Sequence, residues 1–195
     1  MDDHPDHYFD LEAAERAAWD AMVRGALSRK SAFHQVTVAT IGDDGAPEAR
    51  TVVLRAADRA EKSLRFHTDT RSGKFSELTR DPRLTFLFYD HGAKVQVRAQ
   101  GRAELHNRDD VTAGIWREMR DFSKKCYRQA EGPGAALAAP DGAEADPLDD
   151  AGGYDNFVVV VSRIHTVEWL YLAAAGHRRA RVHYDPPADR GWLAP

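Results

Sequence analysis

The run Arg71-Ser72-Gly73-Lys74 is placed where a helix would begin, with Ser72 as its cap. Backbone N–H groups in the first turn of a helix lack intrahelical partners, and the helix dipole is positive there, so an anion is attracted. Thr68 and Ser72 add hydroxyl donors, and Arg71 and Lys74 add charge. A second set of donors, Arg50 and Arg55, brackets Val52, Val53 and Leu54 in a strand-like segment. Their odd separation turns the two side chains to opposite faces of a regular strand. A bulge or a position on a barrel rim would bring both to one ligand. These residues describe an anion pocket, with an ordinary helix cap and solvated arginines as the alternative.

Other chemistries fail on spacing. None of the nine histidines lies in a His-Glu-x-x-His context, and His4 and His7 beside Asp2, Asp3 and Asp6 read as an acidic tail, so no metal site is expected. Gly132-Pro133-Gly134 lacks the third glycine of a dinucleotide fingerprint and follows no strand. In a nucleoside-triphosphate loop the residue after Lys74 is Ser or Thr, and here it is Phe75. Cys126 is the sole cysteine, so no internal disulfide forms, which suits a reducing cytoplasm.

The elements that must position these groups follow from periodicity. Residues 1–9 read as a loose lead-in. Leu11, Ala14, Ala18, Met22 and Ala26 make one helical stripe capped by Asp10 and ending near Ser28. Strands are expected at 33–41 and 47–55 around the turn Gly42-Asp43-Asp44-Gly45, then at 63–68, 84–89 and 94–105. A helix from Ser72 is stopped by Asp81-Pro82. Residues 109–128 look helical with a break near Asp121. The Gly-, Ala-, Pro- and Asp-rich stretch 131–153 cannot build a core and is read as a long mobile loop. Strands at 157–161, 166–172 and 178–184 precede a Pro-rich tail. The expected fold is mainly β with flanking helices: a small barrel in one domain spanning 1–195. Acidic residues outnumber basic ones, 31 to 27, which argues against a general nucleic-acid surface. No apolar run nears the ~20 residues that cross a bilayer, so a cytoplasmic protein without membrane contact is expected.

Five segments in order carry a family likeness: Arg50-Thr51-Val52-Val53-Leu54-Arg55, Phe66-His67-Thr68-Asp69, Arg71-Ser72-Gly73-Lys74, Asp81-Pro82-Arg83, and Val95-Gln96-Val97-Arg98 with Gly101. Their succession resembles the pyridoxamine 5′-phosphate oxidase family, the FMN-binding split β-barrels. Val167-Glu168-Trp169 and the basic stretch from Arg178 to His183 resemble that family's C-terminal region. The resemblance implies FMN at a homodimer interface. By that likeness Arg50, Thr51, Val52, Val53 and Leu54 run along the flavin. Arg55, Ser72 and Lys74 bind its phosphate end beside His67 and Thr68. Arg71 stands in for the arginine the family has at Gly73, Gln96 meets the isoalloxazine, and Arg181 reaches the partner's flavin. The family's substrate-phosphate stretch has no convincing counterpart in 121–134. The resemblance therefore implies an FMN-dependent oxidoreductase acting on a small organic substrate other than a B6 vitamer. A non-catalytic flavin-binding or stress-related module, or a split barrel binding haem or a deazaflavin, is the competing reading.

Overall fold

Helix α1 (Leu11–Leu27) starts where Asp10 accepts from Ala13 N at 2.9 Å, and it buries Ala14, Ala18, Trp19 and Met22. In this computed structural model the described residues are 5–137, 139, 148–174 and 176–195. Gly25 lets the chain return across α1, because a Cβ there would lie 2.6 Å from the Phe33 carbonyl oxygen. Two strands, β1 (Gln35–Ile41) and β2 (Pro47–Val53), form a hairpin whose turn sets Gly45 at φ 84°, a region that favours glycine. After β3 (Ala56–Asp58) and β4 (Ser63–Asp69) comes α2 (Gly73–Arg80), then β5 (Arg83–Asp90) and β6 (Val95–His106). Three short helices, α3 (Asp110–Glu118), α4 (Asp121–Lys124) and α5 (Asp150–Asn156), lead into β7 (Phe157–Tyr171), β8 (Arg178–His183) and β9 (Asp189–Leu193).

All strand pairs are antiparallel, in the order β2-β1-β5-β6-β7-β4-β3, with β8 and β9 branching from β7. The branch explains the split. Along one edge β7 pairs with β6 throughout; along the other its first half takes β4 (Phe157 opposite Asp69) and its second half takes β8 (Thr166 opposite His183). The β6–β7 register shifts at Gln100/Gly101, and a Cβ at Gly101 would lie 2.4 Å from the Arg163 carbonyl oxygen. The bulge curls the sheet around a core that includes Leu54, Phe66, Phe86, Phe88, Val97, Val160 and Trp169. A smaller cluster of Trp116, Tyr127, Phe157 and Val159 docks α3 and the segment after α4 onto β7.

The fold is mainly β with flanking helices, as the sequence implies, with several local corrections. The two strands expected at 157–161 and 166–172 are one, because β7 continues through Ser162–His165 while its partners change. Short β3 and the terminal β9 were not foreseen. Residues 150–153, expected in the long loop, open α5 under an Asp149 cap that accepts from Gly152 N at 2.7 Å. Residues 138 and 140–147 of the remaining expected loop lie outside the described residues, as do residues 1–4. Within the lead-in, Tyr8 is buried and donates to the Gly176 carbonyl at 2.7 Å.

Candidate functional site: a cationic cleft at the start of helix α2

Strand β4 delivers Thr68 and Asp69 to the sheet end, and the chain turns at once into α2. Ser72 occupies the cap position, yet among the described residues no side-chain bond caps the helix. Its hydroxyl donates to the Asp69 carbonyl at 2.8 Å and pairs with the Thr68 hydroxyl at 2.9 Å. No acidic residue stands in the first turn of α2 to offset the dipole. The buried Asp69 carboxylate is held by both sides of Arg71, at 2.9 Å from Nε and 2.8 Å from a terminal nitrogen. Arg71 also donates to the Gln129 and Ala130 carbonyls at 2.8 and 3.1 Å, fastening this turn to the segment after α4.

A cavity of about 220 Å³ lies against this turn, lined by Thr51, Val52, Val53, Arg55, His67, Thr68 and Lys74. Asp69, Cys126, Tyr127 and Pro133 complete its wall. Burial, with Arg50 nearby, pushes the Lys74 ammonium below its ordinary range, so the cleft favours an anion that would restore the charge. Burial, reinforced by Arg55 and Arg65, pushes His67 down to about 3, so its imidazole is neutral at pH 7. Its Nε2 is buried with no hydrogen-bond partner among the described residues, and its ring meets Phe157 edge-on at 5.0 Å. Burial raises both the Tyr127 phenol and the Cys126 thiol, which keeps Cys126 in its unreactive thiol form.

The structure thus brings most of the sequence-predicted residues together and sets five apart. Leu54 is fully buried in the hydrophobic core and does not line the cleft. Arg50 turns to the flank of α2, where it pairs with Glu77 at 2.8 Å and donates to the Thr40 hydroxyl. Arg71 is engaged by Asp69 and two carbonyls, so its role is to shape the turn. Gln96 is half-buried on β6, opposite Tyr89 and Leu170, outside the cleft. Arg181 is exposed on β8, 3.7 Å from Asp189. Sequence reasoning missed Cys126, Tyr127 and Pro133 as wall residues. Only the aromatic Tyr127 in a polar stretch hinted at an anchor, and no local pattern links it to a strand about 60 residues earlier.

Residues 16–107 match the family described as pyridoxamine 5′-phosphate oxidase, FMN-binding domain. Over this stretch, a little under half of its length, the chain is similar to that family. FMN is the cofactor of the matched domain. Among similar proteins, the pyridoxine/pyridoxamine 5′-phosphate oxidase of Burkholderia lata is 37% identical over 89 residues, 45% of this chain and 41% of the relative. That of Kineococcus radiotolerans is 38% identical over 102 residues, 51% of this chain and 43% of the relative. The matched parts span less than half the length of these curated relatives. In fold, the chain is similar to a pyridoxamine 5′-phosphate oxidase-related, FMN-binding protein of Nostoc punctiforme (TM-score 0.70, 21% identity, all of both chains covered). It is also similar to PhzG of Burkholderia lata, solved with tetrahydrophenazine-1-carboxylic acid (TM-score 0.73, 19% identity, 100% and 99% covered).

The donor set fits FMN. Arg55 and Lys74 face a cleft whose one carboxylate among the described lining residues, Asp69, is already neutralised by Arg71, while Val52 and Val53 offer an apolar strand to a flat ring. Among the described residues no group of His, Cys, Asp and Glu is placed to hold a metal, and no helix is long and apolar enough to cross a membrane.

Proposed function

We propose that the protein is an FMN-dependent oxidoreductase acting on a small organic substrate. The observation that carries this reading is the single cleft uniting the end of β2 with the cationic start of α2. Lys74 and Arg55 bind the phosphate of FMN beside Thr68, and the β2 segment Thr51–Val53 lies along the flavin. When bound, FMN supplies hydride transfer, taking two electrons from the substrate and returning them to oxygen or another acceptor. The chain positions substrate and ring and excludes water from the space between them. Neutral His67 offers a hydrogen bond without adding charge. Gln96 and Arg181, remote from the cleft of their own chain, serve it from a partner in a symmetric homodimer.

Anaerobic mixing of FMN-loaded protein with pyridoxamine 5′-phosphate, dihydroaromatic carboxylates and reduced nicotinamide dinucleotides tests the activity. Bleaching of the flavin band by at least one reductant, reversed by oxygen, is the expected result. Bound flavin that stays oxidised against all of them sinks the oxidoreductase reading and favours a non-catalytic flavin carrier.

A further inference from the structure

Glu77 lies one turn into α2 and is buried, where a carboxylate costs free energy unless it is paired. Its two oxygens accept from one terminal nitrogen of Arg50, at 3.0 and 2.8 Å, and Oε2 also accepts from the Thr40 hydroxyl at 2.5 Å. The other terminal nitrogen of Arg50 donates to that same hydroxyl. Thr40 on β1, Arg50 on β2 and Glu77 on α2 therefore close a ring of hydrogen bonds. Stability alone is a weak reason for such a ring, because desolvation offsets much of the attraction within a buried ion pair.

The ring sits against the start of α2. A Cβ at Gly73 would lie 3.3 Å from Oε1 of Glu77, and the next residue is Lys74. Burial, then Arg50, pushes the Lys74 ammonium below its ordinary range; Glu77, then Asp69, pulls it back. Asp69 is already engaged by Arg71, 2.8 Å away. Arg50 has a second carboxylate nearby, Glu48 of its own strand, but at 3.9 Å and half exposed. Around the cleft stand Arg55, the neutral His67 of β4, and Cys126 and Tyr127, whose protonated forms burial favours. Glu77 is thus the carboxylate that answers Arg50 beside Lys74.

We propose that Glu77 is a positioning residue of the cofactor site: by clamping Arg50 together with Thr40, it sets the charge that the start of α2 presents to a phosphate. Glu77 is not among the described residues lining the cleft, so it acts through Arg50 and Lys74. This role rests on the reading that FMN sets its phosphate at Lys74. With Glu77 made neutral, Arg50 faces Lys74 uncompensated, and the ammonium gives up its proton at a lower pH.

The test is the pH profile of FMN affinity by fluorescence quenching, from neutral to alkaline pH, with riboflavin in parallel to cancel titration of the shared ring. FMN binding should weaken as Lys74 loses its proton. In Glu77→Gln that alkaline limb should begin about one pH unit lower, the low end for loss of a neighbouring opposite charge. On the limb this reads as about tenfold weaker FMN binding than wild type, against a change within about threefold at neutral pH. Glu77→Asp keeps the charge and should restore the wild-type limb. Arg50→Gln/Glu77→Gln removes both charges, should return the limb close to wild type, and covers the case in which an unpaired Arg50 prevents folding. Side-chain NMR of lysine-labelled, FMN-free protein, with the Lys74 signal assigned by its loss in Lys74→Met, should show the same displacements. A limb and a Lys74 titration that ignore Glu77→Gln, equal losses for FMN and riboflavin, or no rescue by Glu77→Asp would each overturn the proposal and leave Glu77 a strut of α2. Wild-type protein that binds FMN no better than riboflavin removes the preceding reading instead, and Glu77 is then judged on the Lys74 titration in FMN-free protein.

Discussion

Replacing Lys74 by alanine removes the one ammonium that the cleft both buries and faces toward an incoming anion. Its charge is already disfavoured by burial and by Arg50, and only partly offset by Glu77 and Asp69. A phosphate in the cleft therefore gains a charge-assisted hydrogen bond in a partly desolvated setting, worth about 1.5–3 kcal/mol. At ~1.4 kcal/mol per decade, Lys74→Ala should raise the FMN dissociation constant about 10- to 100-fold. Arg55 lines the same cleft but is exposed, where screening reduces an ion pair, so Arg55→Ala should sit at the lower end, about tenfold or less. Riboflavin carries no phosphate, so its affinity should hardly change in either variant. Flavin-fluorescence quenching with FMN and riboflavin in parallel, at fixed salt, reads all four effects. Equal losses for both flavins, or no loss for either, would refute the assignment and reduce the start of α2 to a structural turn.

Three further outcomes follow from particular residues. His67 stays neutral in the fold down to about pH 3 but takes a proton near pH 6.5 when unfolded, so stability is full above pH 6.5 and falls as pH drops through that window. By pH 5 the loss from this group reaches at most about 2 kcal/mol, and His67→Gln should flatten that slope in denaturant melts; an unchanged slope contradicts it. Gly101→Ala forces a Cβ against the Arg163 carbonyl and Ile164 at the β6–β7 bulge and should cost about 1–3 kcal/mol, whereas wild-type thermal stability would show the strand can shift freely. If Gln96 and Arg181 serve a partner's flavin, FMN should tighten the dimer in sedimentation, and Arg181→Ala should weaken that linkage; a monomer binding FMN at full affinity contradicts it.

Local signals carried much of the fold. The Gly42–Gly45 turn between alternating β-branched residues predicted the β1–β2 hairpin, and Ser72 marked the start of α2 within one residue. Where the sequence misled, the cause was tertiary. Ser162-Arg163-Ile164-His165 reads as a break in apolar texture, yet β7 runs through it because β4 and β8 take over its edge in turn. The site divides in the same way. Thr68, Lys74 and Arg55 are legible because they lie within or next to one strand–turn–helix unit. That Arg50 pairs with Glu77, or that Arg71 clamps both Asp69 and the segment after α4, depends on partners up to 59 residues away, beyond any periodicity.

A crystal structure of the protein with FMN bound tests the central claim most directly, because phosphorus locates the phosphate without ambiguity. The account predicts that phosphate within hydrogen-bond distance of the Lys74 Nζ and the Arg55 guanidinium, with the ring along Thr51–Val53. A phosphate held away from the start of α2, with Lys74 facing solvent, would contradict it.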